Sequence, residues 1–345
     1  MTVRRRPTIR DIAREAGVSA TAVSFALNNR PGIAPETRKR ILELAQTLGW
    51  TPSIAARALS SSKAGSVGLV MGRTDRTEFA PDRFLFRFMT GVESRLYERG
   101  TSFVFHTATT MEHEVETYDT WWSERRVDGV IVVDLREDDP RPAQLKSSGL
   151  PAVFVGADPG YGAAVVCDQR AFVTQAFTHL DTLELDSLAY VSGTASRHGD
   201  QRSALFAEGA KERDLHLELV DAPGYSEPAG RAAMADLLDR CHPGAPPRLV
   251  VFDNALLCLG ASRVLKERGF TLPEDVALMS LEDSDLCEVM EPTVTALHRD
   301  PVAYGEYCAD LAVELIADEV TTDTRVRCPA PFSIAVRAST RMSPA

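Results

Sequence analysis

Apolar residues in the first fifty positions recur at helical spacing. Ile12, Ala13 and Ala16 follow Thr8-Ile9-Arg10-Asp11, in which a threonine hydroxyl can accept a backbone N–H while the aspartate reaches back, a capping box. The helix it starts is expected to stop at Gly17. Val18 opens a turn, and Ser19 suits the N-cap of a second helix through Val23, Ala26 and Leu27. Asn28-Asn29-Arg30-Pro31-Gly32 breaks that helix. Pro35 is a good first residue for a third helix with Ile41, Leu44, Ala45 and Leu48 on one face and Gly49 at its C-cap. Two helices across a tight glycine-containing turn, then a third, predict a helix-turn-helix unit. A small helical bundle without a DNA role is the alternative.

Beyond Pro52, Ser53-Ile54-Ala55-Ala56-Arg57-Ala58-Leu59 has the length of a very short helix. Isolated helices need roughly 12–15 residues in water, so this one should form only when something packs on it or binds it. Ser60 to Gly65 has a flexible-linker composition. From Ser66 onward, short apolar runs predict strands at Val67–Met71, Phe103–His106, Gly129–Asp134, Ala152–Val155, Leu188–Val191, Leu249–Phe252 and Val276–Ser280. Helical patterns lie between them, among them Phe84–Glu98, Gln201–Arg213 and Ala255–Arg268. Such alternation predicts an α/β fold of parallel sheets with helices on both faces. About 280 residues are too many for one such sheet, so two lobes are expected. Ligands of open α/β sheets bind at the carboxyl ends of the strands, which for two lobes means the cleft between them.

Charge changes the picture of the head. The whole chain of 345 residues carries a formal charge of −11, which by itself argues against a nucleic-acid partner. Residues 1–63, however, hold eleven Lys/Arg against four Asp/Glu, a balance of +7, and the remaining 27 Lys/Arg and 45 Asp/Glu give −18. That asymmetry is expected of a head that grips a polyanion on a body that does not. Apolar residues at 44% and charged residues at 25% are ordinary for a soluble globular protein. The six cysteines form no C-x-x-C pair and stand at no metal-binding spacing beside histidines, so reduced, mostly buried thiols of a cytosolic protein are expected. No apolar core follows the arginine-rich start, so no signal peptide is expected, and no run of eighteen apolar residues predicts a membrane span.

The run Thr8-Ile9-Arg10-Asp11-Ile12-Ala13-Arg14-Glu15-Ala16-Gly17-Val18-Ser19 resembles the opening of the lactose-repressor (LacI/GalR) family. Val23-Ser24, Leu27-Asn28, Thr37-Arg38, Leu48-Gly49-Trp50 and Pro52-x-x-Ala55-Ala56-Arg57-x-Leu59 extend the likeness. Weaker matches continue through Val127-Asp128-Gly129-Val130-Ile131, Leu272-Pro273-Glu274-Asp275-Val276-Ala277 and Arg337-Ala338-Ser339-Thr340. The resemblance implies a DNA-binding head at 1–52, a hinge helix and linker at 53–65, and an effector-binding core of the periplasmic-binding-protein type at 66–345. It places the N-lobe at about 66–165 plus 298–325 and the C-lobe at about 166–297 plus 326–345. It further implies a homodimer or tetramer on a palindromic operator. No heptad-rich extension follows Arg337 to make a tetramer helix, so a homodimer is expected.

The resemblance implies that Ala20, Thr21 and Phe25 face base edges in the major groove. Phe25 offers only apolar contact, for instance to a thymine methyl, or packs against the head and reads nothing. Ser19, Ser24 and Asn28 are phosphate partners on this reading and Thr8 a further DNA contact, with charge from Arg4–Arg6, Arg10 and Arg38, any one of which can instead be merely solvated. Ala22 stands where a threonine is commoner, so one hydroxyl contact is missing. Leu59 matches a residue that wedges into the minor groove and bends DNA, with small Ala56 letting the backbone approach; the alternative is that Leu59 packs on its own core. In the body, Arg202 with Phe206 resembles an Arg-x-x-Gly-Phe motif whose arginine binds effector, with Leu205 in place of the glycine. Asp253-Asn254 resembles an Asn-Asp pair reversed, Glu282-Asp283 an Asp-Asp pair, and Phe84 and Leu85 fall where aromatic side chains line the N-terminal lobe. Arginine donors and carboxylate acceptors over an aromatic suit a sugar-like polyol, and Arg202 also suits an acidic ligand. Each of these residues taken singly can instead be a surface ion pair.

Two other classes compete. A solute-binding protein shares the two-lobed core but calls for a signal peptide and no basic head. An α/β enzyme calls for a motif such as Gly-x-Gly-x-x-Gly, a P-loop, Gly-x-Ser-x-Gly or His-Glu-x-x-His, and none is present. Ser192-Gly193-Thr194, a glycine-containing loop after a strand, is too slight to carry phosphate chemistry alone. No enzyme activity, cofactor or metal is therefore expected.

Overall fold

The computed structural model describes residues 7–27, 30–50, 63–72, 83–136, 138–193, 197–241, 246–328 and 332–341. The chain divides into two compact units, Met1–Ala64 and Gly65–Ala345.

Among the described residues the first unit contains three helices, α1 (Ile9–Ala16), α2 (Ala20–Leu27) and α3 (Pro35–Thr47). The capping box forms as spelled: the Asp11 N–H donates to Thr8 Oγ1, and the Thr8 N–H donates to Asp11 Oδ2. The Thr8 hydroxyl also donates to Asp11 Oδ2 at 2.7 Å, and this bond, with that from the Thr8 N–H, holds the Asp11 carboxyl below its usual range. Gly17 ends α1 in the left-handed conformation at φ +64°, a region that suits glycine. At the end of α3 the C-cap is Leu48, not Gly49; Gly49 stands one residue further out at φ +67°. The apolar faces of all three helices meet in one small core of Ile12, Val23, Ala26, Ile41 and Ala45, flanked by Trp50.

The second unit holds two six-stranded sheets. The first is built from β1 (Ser66–Gly72), β2 (Ser102–Ala108), β3 (Gly129–Val132), β4 (Ala152–Gly156) and β5 (Ala163–Val166), with β11 (Arg325–Arg327) added late. Its order is β11-β5-β4-β3-β1-β2, parallel throughout. The second comprises β6 (Ser187–Ser192), β7 (His216–Asp221), β8 (Leu249–Phe252), β9 (Ala277–Ser280), β10 (Thr295–His298) and β12 (Ser333–Ala335). Its order is β12-β10-β9-β8-β6-β7, and only β12 runs antiparallel. Strands buried on both faces read as continuous apolar runs, which is why β1, β3, β4 and β8 were legible.

Helices cover both faces of each sheet. Against one face of the first sheet lie α4 (Arg83–Glu98) and, from far along the chain, α12 (Pro301–Ile316). The other face is covered by α5 (Met111–Ser123) and α6 (Arg141–Ser148). In the second sheet α7 (Gln169–Leu180) and α8 (Arg197–Glu212) cover one face. On the other lie α9 (Glu227–Arg240), α10 (Ala255–Glu267) and the short α11 (Asp285–Val289). Glycines set the closest helix crossings. A Cβ on Gly91 of α4 would collide with the Val302 carbonyl, and one on Gly305 of α12 with that of Phe88. Gly230 of α9 and Gly260 of α10 repeat the device in the second lobe.

Several expected boundaries shift. The third strand ends at Val132 and leaves Asp134 in a loop at φ +52°, and the helix expected at Gln201 begins at Arg197. The chain returns to the first sheet through α12 and β11, which runs to Arg327, before β12 rejoins the second. All six cysteines are free; Cys241 and Cys328 are half-buried and the rest buried. Among the described residues no helix is long and apolar enough to cross a membrane.

Candidate functional site

Within the head, Val23 and Ala26 of α2 point into the core, which turns Ala20 and Thr21 outward. Ser19, Ala20 and Thr21 are exposed, and Ser24 and Phe25 half-buried, on an outer face of the same helix. The Ser19 hydroxyl accepts the Ala22 N–H at 3.1 Å and so caps α2. Thr8 is likewise engaged in its capping box. The Arg30 guanidinium lies 6.0 Å from the Phe25 ring centre. Asn28, Ala56 and Leu59 lie outside the described residues. Arg38 and Arg40, counted in the sequence only as charge, close helix ends: Arg38 donates to the Ala26 carbonyl at 3.0 Å and Arg40 to that of Ala16 at 2.8 Å.

The second sheet gathers Arg202 and Asp253. Strand β6 runs out to Gly193 and neighbouring β8 to Asp253, and the strand order reverses between them. Asp253 Oδ1 accepts from Arg202 Nη1 at 2.8 Å and from the Tyr190 hydroxyl at 2.6 Å; Oδ2 accepts the Gly193 N–H at 3.2 Å. Arg202 also donates through Nε to Gln169 Oε1 at 2.9 Å, with its guanidinium 4.6 Å over the Phe172 ring. Side-chain exposure is 11% for Arg202 and 2% for Asp253. Burial opposes the Arg202 charge, but the Asp253 carboxylate outweighs it and the guanidinium is held charged. Burial, then the same carboxylate, raises the Tyr190 phenol well above its usual value.

The other expected residues are placed less directly. Asn254 caps α10, accepting the Leu257 N–H at 2.9 Å, and its Nδ2 donates to the Tyr225 carbonyl at 3.1 Å. The Glu282 backbone is tied to the Ser280 hydroxyl in the loop after β9, with its side chain half-buried. Leu85 is buried in the first lobe's core. The Phe84 ring is capped by the Arg299 guanidinium at 3.7 Å. Tyr190, Gln169 and Phe172 escaped the sequence reading, because nothing in their local pattern separates them from ordinary core and cap positions. Tyr225, 39% exposed, lies against Gly193 so closely that a Cβ there would strike its ring.

A second buried charge cluster, unmarked by any motif, lies in the first lobe. Glu114 of α5 is fully buried and meets Arg141 at 2.8 Å and Arg136 at 3.5 Å. Arg141 also binds Asp139 at 2.7 Å and the Asp134 carbonyl at 2.9 Å. Burial raises the Glu114 carboxyl despite both arginines.

Comparison with known proteins agrees with this architecture. Residues 8–53 match the bacterial regulatory proteins of the LacI family, and 177–340 match the periplasmic binding protein-like domain. The chain is 32% identical over 338 residues to the HTH-type transcriptional regulator CelR of Thermobifida fusca, covering 94% of this chain and 96% of the relative. The chain belongs to the LacI family. The HTH-type transcriptional regulator reg1 of Streptomyces lividans is 28% identical, covering 97% of this chain and 96% of its own. Among solved structures, a CelR–cellobiose complex superposes with a TM-score of 0.71 at 28% identity, covering 97% of this chain and all of its own. The lac repressor dimer bound to operator gives 0.83 at 19% identity, covering 98% and 100%, a likeness of fold. This LacI-family protein is thus a DNA-binding transcriptional regulator with an effector-binding domain, a class that is not enzymatic.

Proposed function

We propose that this regulator is a repressor that binds a palindromic operator as a homodimer and responds to a sugar-like effector held between its lobes. It acts in the cytoplasm on this reading. The observation that carries the effector half is the buried Arg202–Asp253 pair at the point where the second sheet's strand order reverses. Open α/β sheets bind ligands at that point, and the pair offers donors and acceptors together, as hydroxyl groups require. Asn254, Glu282 and Phe84 complete the proposed site, with Leu85 acting from the core behind it.

The DNA half rests on the outward face of α2 in a head of charge +7. Ala20, Thr21 and Phe25 are proposed to meet bases, and Thr8, Ser19, Ser24 and Asn28 phosphates. Ala56 and Leu59 are proposed as the minor-groove contact by their match to the family pattern. Exposed Phe86 and Tyr97 on α4 and Phe105 on β2 support the homodimer, since aromatic side chains of this exposure favour a protein partner.

The test is titration of the full-length chain against a palindrome from its own upstream region and against scrambled DNA, with and without neutral disaccharides. Preference for the palindrome of about a thousandfold or more is expected, changed by one of the sugars. Equal affinity for both DNAs would overturn the proposal.

A further inference from the structure

The two sheets share a topology. In each, the first strand of the lobe is flanked by the second on one side and the third on the other, so the order reverses between β1 and β3 and again between β6 and β8. Open parallel sheets have their ligand crevice outside the carboxyl ends of the strands at such a reversal. In the second lobe that place holds Gly193, Asp253 and Arg202. In the first lobe the corresponding place is the end of β1, Gly72, beside the segment leaving β3. The side chains there are Glu114 and Arg136. A Cβ on Gly72 would collide with Glu114 Oε1 and stand 2.9 Å from Arg136 Nη2. Each reversal therefore carries a glycine, a buried carboxylate and an arginine. No sequence motif announces the first of these sets.

Arg136 does not behave as a residue whose task is to neutralise Glu114. Arg141, 2% exposed, already does that at 2.8 Å. Arg136 stays at 3.5 Å with 42% of its side chain exposed, and that long contact is its one side-chain ion pair among the described residues. Its backbone is nevertheless fixed. The Arg136 N–H donates to Asp139 Oδ2 at 3.1 Å, and Arg141 draws in the Asp134 carbonyl, which sits on a left-handed residue at φ +52°. An ordered backbone presenting a half-exposed guanidinium over a strand end is a set of donors aimed outward.

We propose that Arg136 is a second effector-contacting arginine, carried on the first lobe, whose free donors meet hydroxyls of a neutral, polyhydroxylated ligand held at its other side by Arg202 and Asp253. Charge decides the ligand class. Arg136 and Arg141 face Glu114 and Asp139, two cations against two anions, and exposed Asp134 adds a further anion at the rim. In the second lobe Arg202 faces Asp253. Among the described residues neither reversal has a surplus of positive charge with which to attract an anion, whereas both pair donors with acceptors as a sugar's hydroxyls do. The inference rests on the effector site proposed above and adds to Phe84 a charged hydrogen-bond donor on the first lobe's side of the ligand.

The test uses the full-length protein, with cellobiose, maltose, trehalose and glucose 6-phosphate as probes in thermal-shift and calorimetric titrations. One of the neutral disaccharides is expected to bind the wild type. Arg136→Ala should weaken that binding roughly ten- to hundredfold, the loss expected for a hydrogen bond to a charged group. The melting temperature of the ligand-free variant should stay unchanged, since the 3.5 Å contact contributes little. Arg136→Lys, keeping a cation over Glu114, should recover part of the affinity. Wild-type affinity in Arg136→Ala overturns the proposal, and so does a loss that appears only together with a lower ligand-free melting temperature. If Arg202→Ala then abolishes binding while Arg136→Ala does not, the effector site stands and this inference alone falls. Binding of glucose 6-phosphate only overturns the neutral class. If no probe shifts the wild type, the sugar-effector reading itself fails, and the role of Arg136 with it.

Discussion

Arg38, in the first turn of α3, donates to the carbonyl of Ala26 at 3.0 Å and to that of Phe25 at 3.4 Å, closing the end of α2 from another helix. Helices leave their last carbonyls unpaired, and α2 has no basic residue of its own in its last turn. Arg38→Ala should therefore loosen the presentation of Ala20, Thr21 and Phe25. A loss of about 1–3 kcal/mol of head stability is expected. Amide hydrogen exchange over residues 20–27 of the full chain reads it directly. Protection unchanged by the substitution would show that Arg38 contributes only charge.

Asp253 anchors three donors, and its removal should be felt beyond the site. Asp253→Asn leaves Arg202 charged and buried without its counter-ion, a change that typically costs about 3–5 kcal/mol. Arg202→Met should be milder, because Tyr190 and Gly193 still donate to the remaining carboxylate. Chemical denaturation of the two variants gives the comparison. Equal losses would mean that the pair's contribution lies in packing.

His179 is buried in α7 with Nε2 2.9 Å from the Thr340 hydroxyl. Burial lowers its pKa below the usual histidine value. The unfolded chain then takes up the proton first as pH falls, so protonation favours unfolding. The stability His179 protects is present above about pH 6.5, the ordinary histidine value, and is lost as pH falls from there toward the depressed folded value. His179→Gln should flatten the melting-temperature profile between neutral pH and pH 5. An unchanged slope would assign the acid sensitivity to carboxylates.

Operator binding should weaken steeply with salt if the +7 head grips phosphates. Counter-ion release gives a log–log slope of about −0.9 per phosphate neutralised. Removing Arg10, exposed on α1, should make that slope shallower by about one unit on both operator and scrambled DNA. A slope near zero would place the recognition elsewhere.

What the sequence made legible follows from how locally each feature is encoded. The capping box, Gly17 and the continuous apolar strands are spelled by adjacent residues, so they could be read directly. Arg202 and Asp253 were reached only through resemblance, since 51 positions separate them. Tyr190, Phe172 and Glu114 had no signal at all: a tyrosine on a buried strand or a glutamate in the first turn of a helix is ordinary until the fold brings its partners. Asn254, expected from the family pattern at the ligand, sits at a helix N-cap, and asparagine at that position serves either task. The roles of Arg38 and Arg40 were missed for a related reason. Charge is visible in composition, but the carbonyl that an arginine reaches is set by how three helices pack.

The crossing of α4 and α12 at Gly91 and Gly305 also bears on the order in which the protein can be made. Tyr304, Cys308, Leu311 and Leu315 are core residues of the first lobe, yet the ribosome reaches them only after the entire central sheet of the second lobe from β6 to β10 has been synthesised. The first lobe therefore waits, with the face of β1 and the groove of α4 uncovered, while its neighbour has nearly all the chain it needs. Each lobe waits on a late segment, the first on α12 and β11 and the second on β12, and a nascent chain arrested before residue 301 would expose the surface that α12 covers. Such a fragment is the natural client for a chaperone, and no cleavage between the lobes yields two halves that are each whole.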